Sequence, residues 1–438
     1  MFLTDNADAA PQRQGSAISP DTNWRVCAVV LVLFILAATL SAIHKDVTLG
    51  FDEVAHASYI AHLQHFGEWW PAFADMRMLD PSNFRFTGEL NYLDHPSLYY
   101  ALLAHLGPNL EGHPEAILAF RLFNVALAAI GLAALMAIGL LARLPRLALY
   151  AYIIPLGCIP ALVPLAGAIS NDNAAFAGGG IATLAAFQLL ATGSRAWLIA
   201  AIGGLIVASW AKFTGLLLVG GLVGGVVLWL LWQGRLPARW IGPIAIAVLV
   251  ACAPYAALMA QYGSPTPRTP GQIAMIETGA RAAGWDSAER MSPLGFAAHF
   301  VSEFVLEWMP TMKPRNALNY AVLAIPITAV VCGFAGLLLA VRRIADGKAA
   351  PLDIVIAASA LAFAGTCVLH FIFSYRLHVE FGWMTTAYPR YYLPLAALVP
   401  LAGLSLLAAV QQPRARNILL GFLIAGPVVF RLLGAPLG

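Results

Sequence analysis

The residues best suited to chemistry stand in one short run, LGFDEVAHASYIAHLQHFGEWW, from Leu49 to Trp70. The adjacent carboxylates Asp52 and Glu53 are followed by His56, four residues beyond the first and three beyond the second, so on a helix all three share a face. A carboxylate whose pKa is raised by its neighbour can accept a proton from a hydroxyl or amine while the other stays ionised. The plainer alternative is a solvated acidic pair that caps a helix. The same three side chains have the spacing to hold a divalent cation, but His62 and His65 complete no recognisable ligand set. The histidines therefore read first as surface residues.

A second candidate is NYLDHPSLYY, Asn91 to Tyr100. Asp94 and His95 precede a proline that can open a helix, which places their polar groups near a helix N-terminus, a natural seat for an anion. Four more polar patches interrupt apolar surroundings: Arg121 and Asn124 in RLFN, Ser170 to Asn173 in SNDN, Lys212 in WAKFTG, and Arg390 in YPRYYLP. Each alone fits an interfacial or snorkelling residue.

The solvent around these groups follows from composition. Of 438 residues, 60% are hydrophobic and only 11% charged, and the mean hydropathy is +0.76. That leaves too little polar surface to cover a water-soluble globule, so the chain reads as an all-α polytopic membrane protein. A net charge of +3, with no basic or acidic tail, argues against nucleic acid as a partner. The five cysteines lie in apolar stretches without CxxC spacing and read as small packing residues, with no disulfide framework or zinc site.

A span needs about 20 mostly apolar residues, and about eleven are expected, near 24–43, 116–142, 147–169, 174–192, 197–210, 214–233, 240–262, 318–341, 351–374, 391–411 and 416–435. The first reads as a retained helix with no cleavage site. If the spans alternate, Arg13, Arg25, Arg143, Arg146, Arg195, Arg235, Arg239, Arg342, Arg343, Lys348, Arg414 and Arg416 all fall on one side, which the positive-inside rule makes the cytoplasm. The expected organisation is a cytoplasmic tail, 1–23, and one transmembrane domain, 24–435, with outer loops at 44–115 and 263–317. The odd count puts the C-terminus outside. The first outer loop holds ten of the 22 acidic residues and seven of the ten histidines. HASYIAHLQHFGEWW and HPSLYYALLAHL within it read as helices lying on the membrane surface, and the second loop as a partly ordered lid.

With this topology Asp52 and Glu53 fall just beyond the first span, where an ionised carboxylate is costly unless it meets a wet cavity or a partner. Arg121, Lys212 and Arg390 reach the same outer level. Three bases and several carboxylates there imply a cavity that takes a phosphate from the lipid side and an acceptor from the water side.

The order and placement of the DE pair, HPSLYY, RLFN, SNDN, AKFTG and PRYYLP resemble the GT-C superfamily over residues 24 to 400. Its members are polytopic glycosyltransferases that use polyprenyl-phosphate-linked sugars. The subgroup most resembled is the bacterial protein mannosyltransferase and aminoarabinose transferase-like proteins, although this chain reads HPS where HPP is commoner. The resemblance implies Asp52 as catalytic base with Glu53 beside it, and Lys212 and Arg390 on the donor phosphate with His95 as helper. Asp94, His56, Asn171, Asp172, Tyr99 and Arg121 are the remaining candidates for substrate contact.

The implied partners are a polyprenyl-phosphate sugar and an acceptor that is a glycolipid, polysaccharide or protein. The implied place is the bacterial inner membrane, with the site facing outward. One direct displacement would invert the anomeric carbon, and cationic side chains make a metal unnecessary, with a divalent cation as the open alternative. A transporter or lipid flippase is the main reading of another class, but such proteins concentrate ionisable groups near the bilayer midplane. A non-catalytic anchoring protein gives no reason for the placement of Asp52, Glu53 and Arg390.

Overall fold

The computed structural model describes residues 21–307, 317–386 and 388–434. The expected cytoplasmic tail before residue 21, Arg13 included, and the end of the second outer loop lie outside these residues. The chain is built from helices: α1 (Asp21–His44), α2 (Glu53–Phe66), α3 (Leu98–Leu106), α4 (Ile117–Leu141), α5 (Arg146–Gly157), α6 (Leu162–Ala166), α7 (Asn171–Thr192), α8 (Arg195–Ala211) and α9 (Phe213–Trp232). Then come α10 (Ile241–Tyr262), α11 (Pro270–Ala282), α12 (Pro293–Leu306), α13 (Ala317–Ala345), α14 (Pro351–Phe381), a 3-10 segment over Pro389–Leu395, α15 (Leu398–Ala409) and α16 (Pro413–Gly434).

Every expected span coincides with a helix or a broken pair of helices. By length and composition, however, only eight of the described helices can cross a membrane alone, or nine when the 3-10 segment and α15, bent by 60°, count as one span. The difference from eleven has two causes. The stretch 147–169 is broken between α5 and α6 near Pro155 and Pro160, and α8 has 17 residues. At their far ends from Asp172, Lys212 and Arg390, the helices terminate near Arg143, Arg195, Arg235, Arg342 and Arg343.

Helix α7 is the axis of the fold. It packs against α4, α8, α9 and the 3-10 segment, and it does so through three consecutive glycines. A Cβ on Gly178 would collide with the backbone of α8 at Gly204, one on Gly179 with Pro394, and one on Gly180 with Gly131 of α4. Small residues let helix backbones approach closely where lipid supplies no hydrophobic drive. Gly179 has the functional consequence, because its missing side chain admits the segment that carries Arg390.

Residues 45–116 fold into a cap whose apolar core, shared with α4, α7, α8 and α10, fully buries Tyr59, Tyr100, Met76 and Leu110. For α2 the expectation of a helix lying on the membrane surface is corrected. Helices α2 and α3 form where the sequence places them, but α2 is an interior helix with ten of its fourteen residues buried. It is covered by an antiparallel hairpin, β1 (Arg77–Leu79) and β2 (Phe86–Leu90), which the sequence reading did not foresee. Ser58 ties the two together by accepting a hydrogen bond from the backbone of Leu79 at 2.8 Å.

Candidate functional site

The turn entering α2 sets the direction of its two acids. Gly50, Phe51 and Asp52 have φ of 76°, 61° and 58°. Left-handed backbone is costly for a non-glycine residue and persists only where its surroundings enforce it. The consequence is that Asp52 and Glu53, adjacent in sequence, enter different environments.

Glu53 turns inward. Its carboxylate accepts from Arg121 at 2.8 and 2.9 Å, from Lys45 at 2.7 Å, and from the backbone N–H of Ile169 at 2.9 Å. Arg121 also donates to the carbonyls of Ala42 and Lys45, closing the end of α1. Glu53 and Arg121 are both buried and paired with each other, and in this arrangement they fasten α1, α2, α4 and the approach to α7 together.

Asp52 turns to the opposite side and meets the late segment. Its carboxylate accepts from Arg390 at 2.7 Å and from the Tyr92 hydroxyl at 3.1 Å. Arg390 in turn lies 3.6 Å from Asp172, whose other oxygen accepts from Lys212 at 2.7 Å. The result is an alternating chain of charges, Asp52, Arg390, Asp172 and Lys212. Aromatic faces enclose its cations: the Lys212 ammonium sits 3.7 Å from the centre of the Tyr391 ring, and the Arg390 guanidinium lies 5.0 to 5.5 Å from Tyr388, Phe51 and Tyr391. Asp172 is 5% exposed at its side chain and Asp52 41%, so Asp52 is the acid that an incoming molecule can reach.

The short motifs explain this convergence. Lys212 is the single extended residue between α8 and α9, so the chain reverses there while the side chain projects into the site. In SNDN, Ser170 caps α7 by accepting from the Asp172 backbone, and Asn171 donates to the carbonyl of Ala211 next to Lys212. Asn173 donates to Asn124 of RLFN, which also accepts from the Tyr99 hydroxyl at 2.8 Å. Tyr99 is buried and bonded within this framework, and Asn171 is buried with its amide nitrogen on Ala211 and its Oδ1 without a hydrogen-bond partner among the described residues.

His56, Asp94 and His95 form a flank beside the charged chain. The His56 ring contacts the Tyr100 hydroxyl at 2.9 Å and stacks on His95, and His95 lies 3.5 Å from the Asp94 carboxylate. Burial lowers the pKa of His56 to about 4, and burial with the nearby Lys212 puts that of His95 well below the ordinary value. Both rings are therefore neutral at pH 7 and act on an anion only as hydrogen-bond donors. Burial also raises Asp94 to about 6. For Asp52 burial works in the same upward direction, but the charge of Arg390 and the hydrogen bonds from Arg390 and Tyr92 outweigh it and hold the acid below its ordinary value.

The sequence reading missed Tyr92, Tyr388, Tyr391 and Lys45. The tyrosines stand inside motifs already singled out and mark the aromatic lining, whereas nothing near Lys45 signals its ion pair. Among the described residues, no group of three or more His, Cys, Asp or Glu side chains converges to hold a metal ion.

No family profile matches the sequence, and no curated protein matches it. Among solved structures, the chain is similar to ArnT from Cupriavidus metallidurans in the apo state, at 17% identity over 92% of this chain and a TM-score of 0.47. It is also similar to ArnT from the same organism bound to undecaprenyl phosphate, at 15% identity over 91% of this chain and a TM-score of 0.48. The chain spans 62% of the length of each.

Proposed function

We propose that this protein is a membrane glycosyltransferase of GT-C type that moves a sugar from a polyprenyl-phosphate-linked donor to an acceptor hydroxyl or amine, with inversion, on the outer face of a bacterial inner membrane. One observation carries the reading: a single small anion, the Asp172 carboxylate, lies within 2.7 Å of Lys212 and 3.6 Å of Arg390. A phosphate has the same need for a compact point charge on one side and a planar fork on the other. Asp52, on the exposed side of Arg390, stands where the acceptor would approach.

In the transfer, Asp52 takes the proton of the acceptor group as its oxygen or nitrogen bonds to the anomeric carbon. The bond from that carbon to the phosphate oxygen breaks, and its electron pair leaves on the polyprenyl phosphate. Lys212 and Arg390 stabilise the added negative charge in a site screened from water by aromatic rings. Acceptors of three classes, glycolipid, polysaccharide and protein, fit this chemistry.

The pKa ordering gives a test of which acid is the base. A base must be ionised, and kcat/KM follows the free enzyme. With Asp52 held below the ordinary carboxylate range and the flanking histidines neutral, kcat/KM is flat as pH falls from about 8 to about 5. A loss of rate on descending through about 6 would transfer the role to Asp94.

The function itself is tested by mass spectrometry of glycolipids, polysaccharides and glycoproteins from cells with and without the gene. Loss of one sugar substituent is expected and identifies the acceptor. Identical glycan inventories would contradict the proposal.

A further inference from the structure

Arg390 is shared, and what shares it matters. Its guanidinium is the only bridge between Asp52 of the cap and Asp172 of α7 among the described residues, and both of these partners are anions. A lipid phosphate that seats on Arg390 and Lys212 must compete with carboxylates already in contact with them. Two cations and two carboxylates leave the cluster formally neutral, so the phosphate meets no net positive field unless a carboxylate gives way.

Asp172 is ill placed to give way. It is buried, anchored to Lys212 at 2.7 Å, and set in the first turn of α7, where the helix N-terminus favours its charge. Asp52 is different in each respect: its side chain is 41% exposed, its backbone is in a left-handed turn, and among the described residues its carboxylate has, apart from Arg390, only the Tyr92 hydroxyl.

We propose that Asp52 is a displaceable anionic plug on Arg390, and that the donor phosphate frees it for the acceptor by taking its place on the guanidinium. This rests on the reading of the cluster as a lipid-phosphate site and adds the order of events within it. Before the donor arrives, Asp52 is tied up and the acceptor finds no free base. Once the phosphate occupies Arg390, Asp52 is both released and pushed by a neighbouring negative charge towards accepting a proton. After transfer Asp52 carries that proton and no longer competes for Arg390. When the proton passes to water, the Asp52 to Arg390 pair re-forms and helps to expel the spent polyprenyl phosphate.

The test is an affinity measurement on the full chain in detergent, with polyprenyl phosphate as the probe. Removing the competing charge in Asp52→Asn tightens binding by about tenfold to a hundredfold, the factor expected for one charge-assisted hydrogen bond. Asp52→Ser, a second variant of smaller volume, tightens it too. The gain must vanish when Arg390→Ala is added, since the competition is for that guanidinium. Binding by Asp52→Asn and Asp52→Ser that equals or falls below that of the wild type, while Arg390→Ala still weakens it, overturns the plug and leaves the phosphate site standing. Wild-type protein that binds no polyprenyl phosphate removes the underlying reading and the plug with it.

Discussion

Replacing Asp52 by asparagine lowers sugar transfer about a hundredfold to ten-thousandfold, the usual contribution of a general base, while the protein folds and still binds its lipid donor. The amide has the shape of the carboxylate but a single oxygen, which can serve Tyr92 or Arg390 and not both, since these bond different carboxylate oxygens, 3.1 and 2.7 Å away in the wild type. It has no basic site for the acceptor proton. Transfer by purified protein, at saturating donor, is the measurement. Near-normal turnover would move the base to Asp94, the other acid on the same side of the cap.

The second large effect falls on stability. Glu53→Ala leaves Arg121 and Lys45 without their anion and the Ile169 N–H without an acceptor, all in protein interior. Breaking a buried pair by removing one partner costs about 3–5 kcal/mol, because the remaining charge is uncompensated. Thermal unfolding in detergent should show a markedly lower Tm for Glu53→Ala, with Arg121→Ala similarly affected. The fraction that remains folded should keep its transfer rate per molecule. Full thermal stability with lost transfer would return Glu53 to the chemistry.

These two expectations separate residues that the sequence presents as equals. DE reads as one acidic pair because adjacency carries no information about direction. Direction is set by the three left-handed residues at 50–52, and only the glycine among them announces such a turn in advance. The helices themselves were plain in the sequence, since apolar length is written there directly. Their continuity was not: apolar content reports removal from water, so α5 and α6 read as one span despite the break between them. The hairpin at 77–90 went unseen because its strands have only three and five residues.

The site was legible to the extent that its motifs were. Lys212, Asp172, Arg390 and Asp52 were all candidates, drawn from four stretches up to 338 residues apart. Charge in an apolar chain is costly, and its presence marks a partner. Who partners whom was not legible. The pairing depends on Gly179 admitting Pro394, a contact between two residues that carry no chemistry of their own.

The most direct measurement of the central claim is equilibrium binding of polyprenyl phosphate to the purified full chain, compared among wild type, Lys212→Ala, Arg390→Ala and the double variant. Each single change should weaken binding by about tenfold to a hundredfold, as expected for a charge-assisted hydrogen bond in a water-poor site. The double variant should lose less than the product of the two, because both cations act on one anion. If Lys212→Ala and Arg390→Ala each bind the lipid phosphate as tightly as the wild type, the two residues do not hold it, and the cluster is not a donor site.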